Sequence, residues 1–141
     1  MDRRQKLEEI CQEYAVQDLY VFGSRAREVK NWVEGVLSFL DLKGSDVDIG
    51  ILPCELISWT PDKKVDFSME IEDFLGVDRV DLVLLPEAEP FLALDVIRGE
   101  LLYSQDLDLQ ARYELFVLRR AGDLLPFKKD RIRMIMEEGG R

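Results

Sequence analysis

Apolar positions recur at two spacings along the chain, and their alternation predicts an α/β order. From Asp2 to Tyr14, the residues Leu7, Ile10, Cys11 and Tyr14 fall at helical spacing with charges between them, which predicts an amphipathic helix laid over a sheet. Gln17-Asp18 reads as the turn into a first strand, Leu19 to Phe22, whose apolar run stops at Gly23-Ser24 and becomes a short helix from Ser24 to about Lys30. A second strand runs through Val47 to Leu52 and is ended by Pro53. Ser58 to Leu75 carries Trp59, Val65, Phe67, Met69, Ile71, Phe74 and Leu75, and reads as a helix with Pro61 near its start, Asp62 complementing its dipole and Gly76 as its stop. It leads directly into a third apolar run, Val80 to Leu85, so strand, helix and strand alternate as in an α/β unit. A helix over Glu87 to Arg98, a short edge strand over Leu101 to Tyr103 and a final helix from Asp106 to about Leu125 complete the plan. That last helix carries Leu109, Tyr113, Phe116, Val117 and Leu118; for the charged end, Arg131 to Arg141, helix and frayed coil both stay open. One domain over residues 1–141 is expected, with a small mixed sheet flanked by helices.

One connection is longer than this plan needs. Glu28 to Gly44 puts 17 residues between Arg27 and Ser45, among them Trp32, Val33, Val36, Leu37, Phe39 and Leu40. Their spacing suits a short helix or an ordered flap with an apolar side, which either packs on its own domain or serves as a lid or docking surface.

The chemistry sits where the pattern is interrupted. Asp46 and Asp48 stand two residues apart in a strand, so their side chains share a face. Two adjacent carboxylates repel unless a proton or a cation is shared between them, and paired hard oxygens suit Mg2+. Gly23-Ser24 supplies a complementary half, because glycine allows close backbone approach and a helix start attracts anions. Carboxylate pair and anion cradle together suggest a nucleoside triphosphate carried on magnesium. Asp81 is the only charge in the third strand; if that strand lies beside the first two, it completes a three-carboxylate site. Blander readings exist for some of these residues. Asp46 suits a turn after Gly44-Ser45, Asp81 suits a surface pair with Arg79, and Ser24 suits a helix N-cap as well as a phosphate contact. Asp48, between Val47 and Ile49, suits no such reading. Arg25, in the first turn of the short helix, suits either a phosphate or solvent.

Composition narrows the field. The chain of 141 residues carries a formal charge of -10, which argues against gripping nucleic acid by its phosphates and fits a basic protein partner better. It has no histidine, and its two cysteines, Cys11 and Cys54, lack metal-ligand spacing; zinc sites, histidine bases and Ser-His-Asp chemistry are thereby excluded. With no signal peptide or long apolar span in view, a reduced cytoplasmic setting and no membrane association are expected.

Taken together, Gly23-Ser24-Arg25-Ala26-Arg27, then Ser45-Asp46-Val47-Asp48-Ile49, then Asp81 in an apolar strand resemble the minimal nucleotidyltransferases (MNT) of the DNA polymerase beta-like superfamily. Ile97 to Tyr103, a helix passing through Gly99 into a short strand, and Arg112 to Phe127 as closing helix extend the resemblance over nearly the whole chain. The Glu28–Gly44 connection is longer than the family's usual link, and Glu28 stands where a glycine is common. This departure leaves the motif residues in place and bears on flap geometry and substrate choice. The resemblance implies the nucleotidyltransferase fold, with Asp46, Asp48 and Asp81 as catalytic and Mg2+-binding residues and Gly23, Ser24 and Arg25 as nucleotide-binding ones. It further implies ATP as donor, AMP as transferred group, and a tyrosine of a HEPN-domain ribonuclease toxin as acceptor, the chain acting as that toxin's antitoxin in a hetero-oligomer. Two alternatives stand beside it: an antitoxin that neutralises by binding alone, and a nucleotidyltransferase with a small-molecule acceptor.

Overall fold

The computed structural model describes residues 2–41 and 46–139, with side chains described to residue 126. Its elements are α1 (Arg3–Glu13), β1 (Val16–Phe22), α2 (Ala26–Val33), β2 (Val47–Pro53), α3 (Pro61–Leu75), β3 (Val80–Leu84), α4 (Pro90–Ile97), β4 (Glu100–Ser104) and α5 (Leu107–Gly139), with 3-10 turns at Leu56–Ser58 and Leu85–Glu87. The strands form one mixed sheet in the order β3-β2-β1-β4. β1 pairs antiparallel with both β2 and β4, whereas β2 and β3 run parallel, joined by the α3 crossover. The sheet flanked by helices matches the α/β expectation, and Leu101 to Tyr103 does lie on an edge strand.

Strand alternation sorts the side chains into two cores. Leu19 and Val21 of β1, Val47, Ile49 and Ile51 of β2, and Val80 and Leu84 of β3 point to the face covered by Leu7 and Ile10 of α1, Val29 and Val33 of α2, and Phe67 and Ile71 of α3. Tyr20 and Phe22 point to the other face, where Ala93 and Val96 of α4 and Val117 of α5 close over them. Gly50 makes that closure possible: a Cβ there would lie 2.3 Å from Val96 Cγ1. Tyr20 is buried, and its hydroxyl donates to Glu114 Oε1 at 2.9 Å while accepting from Gln110 Nε2 at 2.9 Å, which fastens α5 to the central strand.

Local signals set the element ends. Asp2 caps α1 by accepting from Gln5 N at 2.7 Å, Thr60 caps α3 ahead of Pro61, and Gly76 ends α3 at φ 70°. Several boundaries differ from the sequence expectation. Gln17 and Asp18 are not a turn but part of β1, both buried; the chain turns earlier, at Ala15, whose φ is 55°. α2 runs to Val33, since Val29 and Val33 continue the apolar stripe begun by Ala26. α3 begins at Pro61, after a 3-10 turn that contains Ser58, and α4 begins at Pro90, where Glu89 accepts from the Phe91 and Leu92 amides. α5 continues through Gly139 with Pro126 inside it. Among the described residues its buried stripe is narrow, made of Gln110, Val117 and Ala121, so Leu109, Phe116 and Leu118 are about half exposed rather than core.

In the long connection, Trp32 and Leu40 pack against the core while Val36 and Phe39 stand 70% and 72% exposed. Arg3 holds this segment to α1. Its guanidinium donates to the carbonyls of Trp32 (2.8 Å), Leu37 (2.6 Å) and Ser38 (2.9 Å) and lies over the Trp32 ring, 4.3 Å from the centroid. Gly44 and Ser45, read above as the entry to β2, lie outside the described residues. Among the described residues no helix is long and apolar enough to cross a membrane.

Candidate active site

The strand directions bring the motifs together. β1 ends where its antiparallel neighbour β2 begins, so Phe22 pairs with Asp48 and the Gly23-Ser24 turn falls beside the start of β2. β3 starts alongside β2 because the two are parallel, and Asp48 registers with Asp81. Asp48 and Asp81 therefore sit side by side at one end of the sheet, on its α4 face.

Gly23 is fitted to this arrangement in two ways. Its φ of +81° is in the left-handed region, and a Cβ there would stand 2.7 Å from Asp48 Oδ2. A side chain at this position would both strain the backbone and cover the carboxylate. Ser24 is exposed in the turn. Residue Arg25, not Ser24, occupies the N-cap of α2, and no side chain caps that helix, so the N-cap reading of Ser24 does not hold. Arg25 pairs with Glu28 at 3.0 Å across the first turn, an interaction the sequence reading did not anticipate although the i, i+3 spacing permits it. Glu28 thus holds an arginine of the candidate nucleotide site.

Partial burial first, then the charges of Asp81 and Asp46, push the Asp48 carboxyl above the usual range. Asp46 precedes β2 by one residue and is exposed. Asp81 is engaged by Arg79, whose Nε and Nη2 both reach Oδ1 at 3.1 Å. Among the described residues no three carboxylates converge into a metal-holding group. The donor set nevertheless fits a hard divalent cation. It is all oxygen, it carries negative charge that Asp48 registers as repulsion, and Gly23 leaves Asp48 Oδ2 uncovered.

Sequence reasoning missed Gly50 and noted Gly99 only as a helix end, and both shape the site's surroundings. Gly50 admits Val96 over the sheet, and a Cβ on Gly99 would lie 2.3 Å from the Val21 carbonyl. For Gly50 the signal was present, since a lone glycine inside a strand pattern marks close approach by another element.

Known proteins carry the same architecture. One matching chain belongs to a toxin–antitoxin complex crystallised with AMP-PNP; it shares 19% identity at a TM-score of 0.71, over 94% of this chain and 98% of that one. A second comes from a complex of tri-AMPylated Shewanella oneidensis HEPN toxin with MNT antitoxin, at 18% identity and TM-score 0.68, over 95% of this chain and 96% of that one. A third, from an MntA–HepT toxin–antitoxin complex, gives 17% identity and TM-score 0.68, over 95% and 97% of the two chains. At these identities the likeness shows the fold. No curated protein sequence matches the chain significantly. Residues 5–108, most of the chain, match the family described as polymerase beta, nucleotidyltransferase, and the motif turn and the Asp46, Asp48 and Asp81 positions all fall inside that span: the chain belongs to the polymerase beta nucleotidyltransferase family.

Proposed function

We propose that the chain transfers AMP from ATP to a hydroxyl of a HEPN-domain ribonuclease toxin, most plainly a tyrosine, and acts as that toxin's antitoxin. The observation carrying this reading is the register of β1, β2 and β3, which sets Asp48 beside Asp81 and lays Gly23 against the Asp48 carboxylate. Family membership and the similar chains found in complexes with HEPN toxin and with AMP-PNP support it.

In this reading Asp46, Asp48 and Asp81 hold Mg2+. When bound, the ion neutralises phosphate charge and eases ionisation of the acceptor hydroxyl. The Gly23-Ser24 turn receives the β and γ phosphates on backbone N–H groups, and Arg25 at the N-terminus of α2 adds positive charge there. Asp48, which feels the charges of both Asp81 and Asp46, would be a ligand of that cation, while Asp81 accepts the acceptor proton or orients the hydroxyl for in-line attack on the α phosphorus. The new bond joins acceptor oxygen to α phosphorus and pyrophosphate leaves. The -10 charge lets the chain attract a basic partner while repelling free nucleic acid.

The test is intact-protein mass spectrometry of a HEPN-domain protein encoded alongside, after incubation with ATP and Mg2+ and either this chain or its Asp46→Asn/Asp48→Asn variant. An AMP-sized mass gain with the parent chain alone is the expected result. A stable complex without mass gain would instead favour neutralisation by contact, and absence of both would redirect the search to small-molecule acceptors.

A further inference from the structure

The parallel pairing that aligns Asp48 with Asp81 also fixes a cation beside them. The Val47 amide donates to the Arg79 carbonyl at 3.2 Å, and Val47 registers with Val80, so the backbone of Arg79 is anchored at the mouth of β2, level with Asp46. Asp46 and Arg79 each stand one residue before their strands, at the end of the sheet where Asp48 and Asp81 lie side by side, so one guanidinium joins the carboxylates there. Arg79 closes on its own strand neighbour: Nε and Nη2 both meet Asp81 Oδ1 at 3.1 Å. The pair is open to solvent, with the Arg79 side chain 68% and the Asp81 side chain 40% exposed, so it is held weakly and parts at little cost.

We propose that Arg79 is a resident counter-ion of the active site, holding Asp81 in the resting protein and competing for it with the divalent cation that would carry the nucleotide. This inference rests on the carboxylate-site reading above. A guanidinium is a fixed monovalent charge that can share a carboxylate but cannot be lost by deprotonation, so release of Asp81 requires the side chain to swing away. The exposed side chain has solvent to swing into. Arg79 is thus a positioning residue, acting through Asp81, and it sets the cation concentration at which the site fills.

Direct binding of Mn2+ without nucleotide, followed by electron paramagnetic resonance, tests this on four folded proteins: the parent, Arg79→Gln, Asp81→Asn, and the double variant Arg79→Gln/Asp81→Asn. Circular dichroism confirms their folding. Removing the competitor is expected to tighten Mn2+ binding about two- to fivefold, the range of an exposed ion pair, and the gain is expected to vanish when Asp81 is already asparagine. An equal gain in both backgrounds would assign Arg79 to general charge repulsion and overturn the proposal. Unchanged or weaker binding in Arg79→Gln would overturn it too, the weaker case marking Arg79 as support for the cation site rather than a competitor. If neither the parent nor Arg79→Gln binds Mn2+, the carboxylate-site reading fails and takes the proposal with it. That outcome differs from failure of the proposal alone, in which the parent binds.

Discussion

Asp48 carries repulsion that the fold keeps in place. Partial burial and two neighbouring carboxylates raise its proton affinity, so the ionised carboxylate is destabilising where it stands. Asp48→Asn is therefore expected to abolish AMP transfer, by on the order of a hundredfold or more, while the melting temperature stays level or rises; coupled mass-spectrometric and calorimetric measurements check both. Gly23→Ala should fail differently. Its Cβ meets Asp48 Oδ2 at 2.7 Å on a backbone with φ +81°, so activity falls together with about 1–3 kcal/mol of stability, read by urea unfolding. Both residues were legible in the sequence, one as a charge inside an apolar strand and the other as a break before a helix. Asp18 was not. Placed by composition in a turn, it lies in β1, where Gln17 Nε2 reaches its Oδ1 at 3.3 Å and Oδ2 has no hydrogen-bond partner among the described residues. The Ser104 hydroxyl faces it across the β1–β4 pair but out of hydrogen-bond geometry. Burial pushes its carboxyl up to about 6, with smaller upward pushes from Glu114 and Asp106 and partial offsets from Ser104 and Gln17. Between about pH 4 and pH 6 the native chain binds a proton there that the unfolded chain has lost, so this group's stabilisation is complete below pH 4 and gone above pH 6. Asp18→Asn removes that loss. The stability difference between variant and parent should grow from near zero at pH 4 to on the order of 2 kcal/mol at pH 7 in thermal or urea unfolding.

At the scale of elements, the sheet reaches its helices through glycine. Val96 of α4 rests against the backbone of Gly50 in β2, and a Cβ there would collide with it at 2.3 Å. Gly50→Ala should cost about 1–3 kcal/mol by prising α4 from the sheet, and Val96→Ala should recover part of that cost in the double variant, a coupling that unfolding curves of the single and double variants measure. Element type and order could be read because helices show apolar positions at helical spacing and strands show short apolar runs, buried on both faces in β1. Boundaries were harder to place where tertiary contacts decide. α2 outran its expected end because Val33 finds a core site, and α5 leaves Leu109, Phe116 and Leu118 half exposed because one narrow stripe meets the sheet and α4. A hydrophobic pattern says which residues can be buried and leaves open how much neighbour is available to bury them.

For the molecule as a whole, charge and topology act together. A net charge of -10 over 141 residues gives a long-range field, and association with a basic partner should slow steeply with salt, by about tenfold or more between 50 and 500 mM in stopped-flow or surface binding. A contact driven by apolar surface alone would show no such slope. Topology explains how three separated segments meet: antiparallel β1–β2 and parallel β2–β3 bring the end of one strand and the starts of two others to one end of the sheet. Had β3 run antiparallel to β2, Asp81 would sit at the opposite end of the sheet.

The Arg3 guanidinium, bonded to three carbonyls of the connection that returns from α2 toward Asp46, makes the beginning of the chain a brace for a distant stretch. Choosing where to attach an affinity tag, or how far to trim a leader, is thereby a choice about that brace. Removing Arg3 would release the carbonyls of Trp32, Leu37 and Ser38 that it holds.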